Sequence, residues 1–189
     1  MNNKSLIHSL LLISFTALLL KSCTEGTNDE DPITYSIGQS HAGGIVFYLD
    51  DTEQHGLVCA STDQSAAIPW SNGSDINTNA FGSDIYTGMA NTATIVAAQG
   101  PGSYAAQICY DLVLNGYDDW FLPSKSECFS MYFNLAILND IGDFADELYW
   151  SSTEASTNNA YSQYSNDGYP PNGGYYKSSA YHVRAVRAF

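Results

Sequence analysis

Basic side chains are scarce in this chain: 6 lysines and arginines stand against 20 aspartates and glutamates in 189 residues. With Lys4 and Lys21 of the N-terminal segment set aside, 4 basic residues remain against the same 20 acidic ones, a formal net charge of −16. Such a field repels nucleic acid, anionic lipid and sulfated polysaccharide at long range, so cations and neutral ligands are the easier partners. Cysteine is also sparse. Four are present, none in a CxxC or zinc-ligand spacing and none after Cys128. The four histidines are scattered, with His41, His55 and His182 at no ligand spacing to one another, which argues against a zinc site. No GxSxG elbow or comparable signature of nucleophilic catalysis appears. The chain is not short of apolar material, however: 44% hydrophobic and 13% aromatic content supports a real core.

The N-terminus reads as an address and a tether. Lys4 precedes an apolar, leucine-rich run from Leu6 to Leu20, the pattern of a signal peptide rather than of a membrane span. Leu20-Lys21-Ser22-Cys23 resembles the bacterial lipobox, which implies removal of residues 1–22 and lipidation of Cys23. That reading makes the membrane a partner through an N-terminal lipid anchor. Residues 23–36 are polar and acidic and read as a flexible tether. The acidic run after Cys23 resembles the surface-export signal of some outer-membrane lipoproteins, implying an outer-membrane protein exposed at the cell surface.

Residues 37–189 read as one α+β domain. Gly43–Asp50 and Leu57–Ala60 form an expected strand hairpin, and residues Asp63–Gly88 an expected loop with at most one short strand near Ile68–Trp70. Helices are expected at Met89–Gln99 and from Ala105 to Val113, where Ala105, Ile108, Cys109, Leu112 and Val113 recur at helical spacing and Asn115-Gly116 supplies a stop. A third follows Ser124, with Cys128, Met131, Tyr132, Leu135 and Leu138 as its apolar stripe. Between the last two lies Trp120-Phe121-Leu122-Pro123-Ser124-Lys125-Ser126-Glu127. Pro123 stops any arriving helix, and Ser124 with Glu127 has the form of a capping box. Trp120 is expected to be buried. Strands are expected at Tyr149–Glu154, around Trp150, at Ala160–Asn166 and at Tyr181–Phe189, so that N- and C-terminal strands can meet.

Four blocks resemble a known family. GGIVFYLD (Gly43–Asp50), WFLPSKSE (Trp120–Glu127), YWSSTE (Tyr149–Glu154) and VRAVRAF (Val183–Phe189) resemble the C-terminal domain of Lcl, a bacterial collagen-like adhesin related to the C-type-lectin-like and formylglycine-generating-enzyme folds. The resemblance implies a C-type-lectin-like domain, with an antiparallel sheet, two to three helices and long loops, acting in surface attachment. It implies no catalytic residue. The sulfated glycosaminoglycans associated with that family fit poorly with a domain offering only Lys125, Lys177, Arg184 and Arg187.

Cys59, Cys109 and Cys128 leave three single bridges open in an oxidising compartment, of which Cys59 with Cys109, a strand cysteine beneath a helix cysteine, is the expected one. Closing that loop would stabilise the fold by roughly 4 kcal/mol in the chain-entropy picture. Tyr161, Tyr164, Asn166, Asp167, Tyr169, Tyr175 and Tyr176 form the expected binding surface, since tyrosines among Asn, Ser and Gly give rigid contact area beside adaptable hydrogen bonding. A neutral glycan or a protein is the expected ligand. Asp118-Asp119 and Asn166-Asp167-Gly168 offer oxygen ligands for calcium, although the EPN or QPD triplet of sugar-binding lectins is absent; no other cofactor and no metal ligand set is expected. Arg184 and Arg187 are expected in structural ion pairs. The leading expectation is a non-catalytic, lipid-anchored recognition or adhesion domain, against an enzyme of the formylglycine-generating type or a purely structural lipoprotein.

Overall fold

The sheet that organises the chain is buried on both faces because its central strand alternates between two cores. In a computed structural model describing residues 32–134, 138, 142–164 and 174–189, Leu57 and Cys59 point into one apolar cluster and Val58 and Ala60 into the other. The period-two geometry of a strand makes this division unavoidable once both faces are covered. The segment expected to be signal and tether, with Cys23, lies outside the described residues apart from residues 32–36.

That sheet has four strands in the order β1-β2-β3-β9, namely β1 (Ser40–His41), β2 (Gly44–Leu49), β3 (Gly56–Cys59) and β9 (Val186–Ala188). The expected early hairpin is β2 with β3, and β9 returns antiparallel to β3, so the two ends of the domain do meet. A second sheet runs β4-β8-β5-β6-β7, built from β4 (Ser65–Pro69), β5 (Leu148–Glu154), β6 (Asn159–Tyr164), β7 (Gly174–Tyr176) and β8 (Ala180–Val183). Its neighbours pair antiparallel except β5 and β8, which touch in parallel through Tyr149 and His182. The described helices are α1 (Gly88–Gln99), α2 (Ala105–Tyr110) and α3 (Lys125–Phe133). The architecture is α+β with mixed and antiparallel sheets. Among the described residues no helix is long and apolar enough to cross a membrane.

The stretch from Trp120 to Glu127 joins these parts. Trp120, Phe121 and Leu122 are buried, Phe121 bridges Val186 of β9, and the Pro123 carbonyl accepts the Ser152 N–H of β5. The capping box forms as expected: Ser124 Oγ accepts the Glu127 N–H at 3.3 Å, and Glu127 Oε2 accepts the Ser124 N–H at 2.6 Å. Glu127 also accepts the Gly88 N–H, tying the start of α3 to the start of α1. Position 88 has room only for glycine, because a Cβ there would press on Ser124 N at 2.8 Å and Leu122 O at 2.9 Å.

Four expectations are corrected. Helix α2 ends at Tyr110, not Val113, and Val113 is 73% exposed. Asn115-Gly116 is not a helix stop: with φ of 54° and 85° it forms a two-residue turn in which Leu114 and Tyr117 exchange backbone hydrogen bonds. Asn-Gly favours that hairpin turn because both central positions need positive φ. Residues Tyr181–Phe189 are not one strand; the chain breaks at Arg184-Ala185 and passes from the second sheet to the first. Finally, the Cys59–Cys109 bridge is absent. Cys59, Cys109 and Cys128 are buried free thiols, and strand alternation puts Cys59 among Phe121, Cys128 and Met131 while Cys109 faces the core of Trp70, Trp120 and Trp150.

Candidate functional site

The edge of the second sheet carries the expected tyrosines, and its register sorts them onto two faces. Gly174, Tyr175 and Tyr176 of β7 stand opposite Tyr161, Ala160 and Asn159 of β6. Alternation therefore places Tyr161 and Tyr176 on one face, as diagonal neighbours across Gly174, and Tyr175 on the other with buried Ala160. Tyr175 stacks edge-on against Tyr181 at 5.6 Å, and Tyr181 against Trp150 at 4.6 Å, an aromatic series running from the core to the 40%-exposed Tyr175. Tyr176 is 68% exposed. Tyr161 is half-buried, with the Lys125 ammonium 4.5 Å above its ring. Tyr164 ends β6 and is half-buried. Asn166, Asp167 and Tyr169 lie outside the described residues.

What holds this edge in place is Lys177, immediately after Tyr176. Its side chain is wholly buried and its ammonium donates to the Glu154 carboxylate, to Ile76 O at 2.7 Å and to Thr157 O at 2.8 Å, 4.7 Å above the Trp70 ring. Glu154 in turn accepts the Thr78 and Asn79 N–H groups at 2.9–3.0 Å. Every charge in the cluster thus has partners, the condition under which a buried ion pair is tolerable. The Lys177 carbonyl accepts the Trp70 and Ser71 N–H groups. The exposed Tyr176 is therefore followed directly by a buried residue whose side chain and carbonyl are both hydrogen-bonded to other parts of the fold. Neither Glu154 nor Lys177 was a sequence candidate, and no local spacing marks them.

A second polar hub lies where the chain crosses between sheets. Asp63 accepts Arg184 Nε at 2.7 Å and Tyr149 Oη at 3.0 Å, and His182 Nδ1 lies 2.7 Å away. Arg184 also donates to Ala60 O at 2.9 Å and Gly142 O at 2.7 Å, with its guanidinium 4.0 Å from the Phe144 ring. Burial, reinforced by the Asp63 charge, pushes the Tyr149 hydroxyl up to about 12. With both carboxylate oxygens engaged, Asp63 acts as a clamp on Arg184 rather than as an available base. Sequence reasoning missed Asp63, His182 and Tyr149, which are brought together only by tertiary pairing.

Arg187 donates to both oxygens of Asp119 at 2.6 and 2.9 Å and lies 3.8 Å from the Tyr117 ring, so both arginines sit in ion pairs as expected. That hydrogen bond holds the Asp119 carboxyl below its ordinary range and occupies half of the expected calcium ligand pair; Asp118 is exposed. The thiols are equally unavailable, since burial pushes Cys59 up to about 12 and raises Cys109 and Cys128 as well. Burial also raises the Glu127 carboxyl, against the lowering effect of the backbone N–H groups it accepts.

No family model matches the chain, and no curated protein matches it in sequence. Among solved structures, a fimbrial protein from Bacteroides ovatus ATCC 8483 is similar, with a TM-score of 0.48 and 17% identity over 71% of this chain. The chain spans 36% of the length of that structure.

Proposed function

We propose that the chain is a lipid-anchored recognition or adhesion domain of the cell envelope, C-type-lectin-like and without catalytic activity, exposed from the outer membrane through acylated Cys23. The observation that carries the reading is Tyr176, exposed beside Tyr161 on one sheet face and fixed to the core by the adjoining Lys177. With the chain anchored at the next residue, contact has little more than the Tyr176 side chain itself to order, which favours stacking on a neutral sugar or a protein. Tyr164, Tyr175, Asn166, Asp167 and Tyr169 complete the surface in this reading.

The electrostatics support neutral ligands over polyanions. Of the four basic residues outside the N-terminal segment, Lys177, Arg184 and Arg187 are buried in ion pairs, and Lys125 lies over Tyr161. The rival formylglycine-generating chemistry requires reactive cysteines late in the chain. Here the three cysteines of the domain are buried with thiols held in the unreactive form.

The test is a glycan array probed with the detergent-solubilised chain, with calcium and with chelator. Binding that Tyr176→Ala and Tyr161→Ala both abolish supports the surface; binding unchanged in both overturns it. Loss under chelator would add calcium to the ligand set. Metabolic fatty-acid labelling should mark wild type and not Cys23→Ala, and equal labelling removes the anchor.

A further inference from the structure

A second surface, apart from the tyrosine edge, lies where α3 faces the β2–β3 hairpin. A cleft of about 620 Å³ opens between Phe129 and Phe133 on one wall and Ile37, Tyr48 and Leu49 on the other, with buried Phe47 as its floor. Phe133 is 75% exposed, although the same helix buries Cys128 and Met131. Phe129 lies 6.4 Å from Phe133 and 6.5 Å from Tyr132, so the helix presents an aromatic ridge rather than a lone apolar residue. Contiguous exposed apolar surface of this kind marks interaction sites.

The rim decides the occupant. Asp50, Asp51 and Glu53 line the cleft, and among the described residues no lysine or arginine does. Asp50 is committed to the turn, accepting the Thr52 N–H at 2.9 Å and its hydroxyl at 2.6 Å. Asp51 and Glu53 are exposed and take no side-chain partner among the described residues. A second copy of this acidic chain would bring like charges together at that rim, and an anionic lipid surface is disfavoured for the same reason. An apolar floor with an acidic edge is complementary to an amphipathic segment whose polar face is basic.

We propose that this cleft docks a basic amphipathic segment of a partner protein, its apolar side chains seated between Phe133 and Tyr48 and its lysines or arginines at Asp51 and Glu53. The probe is a labelled 14-residue peptide of leucine and lysine at helical spacing, titrated by anisotropy into the full-length chain in neutral-detergent micelles, with protein-free micelles as the blank. A leucine/glutamate peptide of the same pattern is the comparison. The Leu/Lys peptide should bind; Phe133→Ser should weaken it at least tenfold, and the double change Asp51→Asn/Glu53→Gln at least fivefold. Neutralising two exposed carboxylates elsewhere, Asp75→Asn/Asp118→Asn, separates this site from attraction to general negative charge and should move affinity less than twofold. Phe133 is exposed, so its replacement does not threaten the fold. Absence of binding, equal binding of the Leu/Glu peptide, or variants at the cleft indistinguishable from the Asp75/Asp118 control would each overturn the proposal. None of these outcomes depends on whether Tyr161 and Tyr176 contact a glycan.

Discussion

The Lys177 ammonium rests on the Glu154 carboxylate with neither side chain reaching solvent, and the residue before Lys177 is the exposed Tyr176. Core electrostatics and the candidate binding edge are thus one covalent step apart.

Breaking that pair from one side should be far worse than removing it whole. Lys177→Met leaves Glu154 buried with only the Thr78 and Asn79 N–H groups, and is expected to cost about 3–5 kcal/mol. The double variant Lys177→Met/Glu154→Gln should recover part of this loss in urea unfolding. Additive costs would show that the two residues do not act as a pair.

Trp120→Ala should destabilise by about 3–5 kcal/mol, because the residue is almost fully buried in the core that also holds Cys109, Leu122 and Trp150. A midpoint in chemical denaturation close to that of wild type would contradict its place in the core.

Glu127 gives a pH dependence of defined sign. Burial raises its carboxyl in the folded state, so the folded protein takes up a proton more readily than the unfolded chain. Its contribution to stability is then greatest at and below the ordinary carboxylate range near 4.5 and falls as pH rises through the raised value. Measured against Glu127→Gln, wild type should gain stability as pH is lowered from 7 towards 4.5. Asp119 acts oppositely, since Arg187 lowers its carboxyl and the resulting stability is lost only at more acid pH. A wild-type-to-variant gap that stays constant with pH, or widens against wild type on acidification, would refute the Glu127 assignment.

The buried cysteines predict indifference to redox conditions. The native protein should show no reaction of Cys59, Cys109 or Cys128 with iodoacetamide on the timescale in which all three react after denaturation, read by mass spectrometry. Reductant should leave the unfolding midpoint unchanged. A reductant-sensitive midpoint would indicate a bridge.

What was legible in the sequence was local. Ser124 and Glu127 announce their capping box because the two partners are three residues apart, and the Gly43–Asp50 and Leu57–Ala60 runs announce their hairpin by β-branched content and a short connection. Asp63 meets Arg184 across 121 residues and Glu154 meets Lys177 across 23, so no spacing rule could find either pair. Asn115-Gly116 was ambiguous in principle, because the same dipeptide ends helices and closes tight hairpins; the short α2 settles it. The cysteine pairing failed for a related reason. Both residues were correctly placed in the interior, but a strand between two cores sends neighbouring side chains opposite ways, and which face Cys59 takes depends on register. The tyrosines read in the sequence as one group, whereas β6–β7 pairing sorts the described ones onto two faces, Tyr161 with Tyr176 on one and Tyr175, stacked on Tyr181, on the other.

The crossing at Arg184-Ala185 has a consequence for the order of events during synthesis. β8 and β9 come last among the described elements, yet β8 fills the gap between β4 and β5, and β9 closes against β3 and Phe121. The second sheet cannot complete its pairing until β8 has left the ribosome, nor the first until β9 has. The described domain therefore cannot close both sheets until synthesis has reached Ala188, so its long-range pairing is completed late relative to its translation.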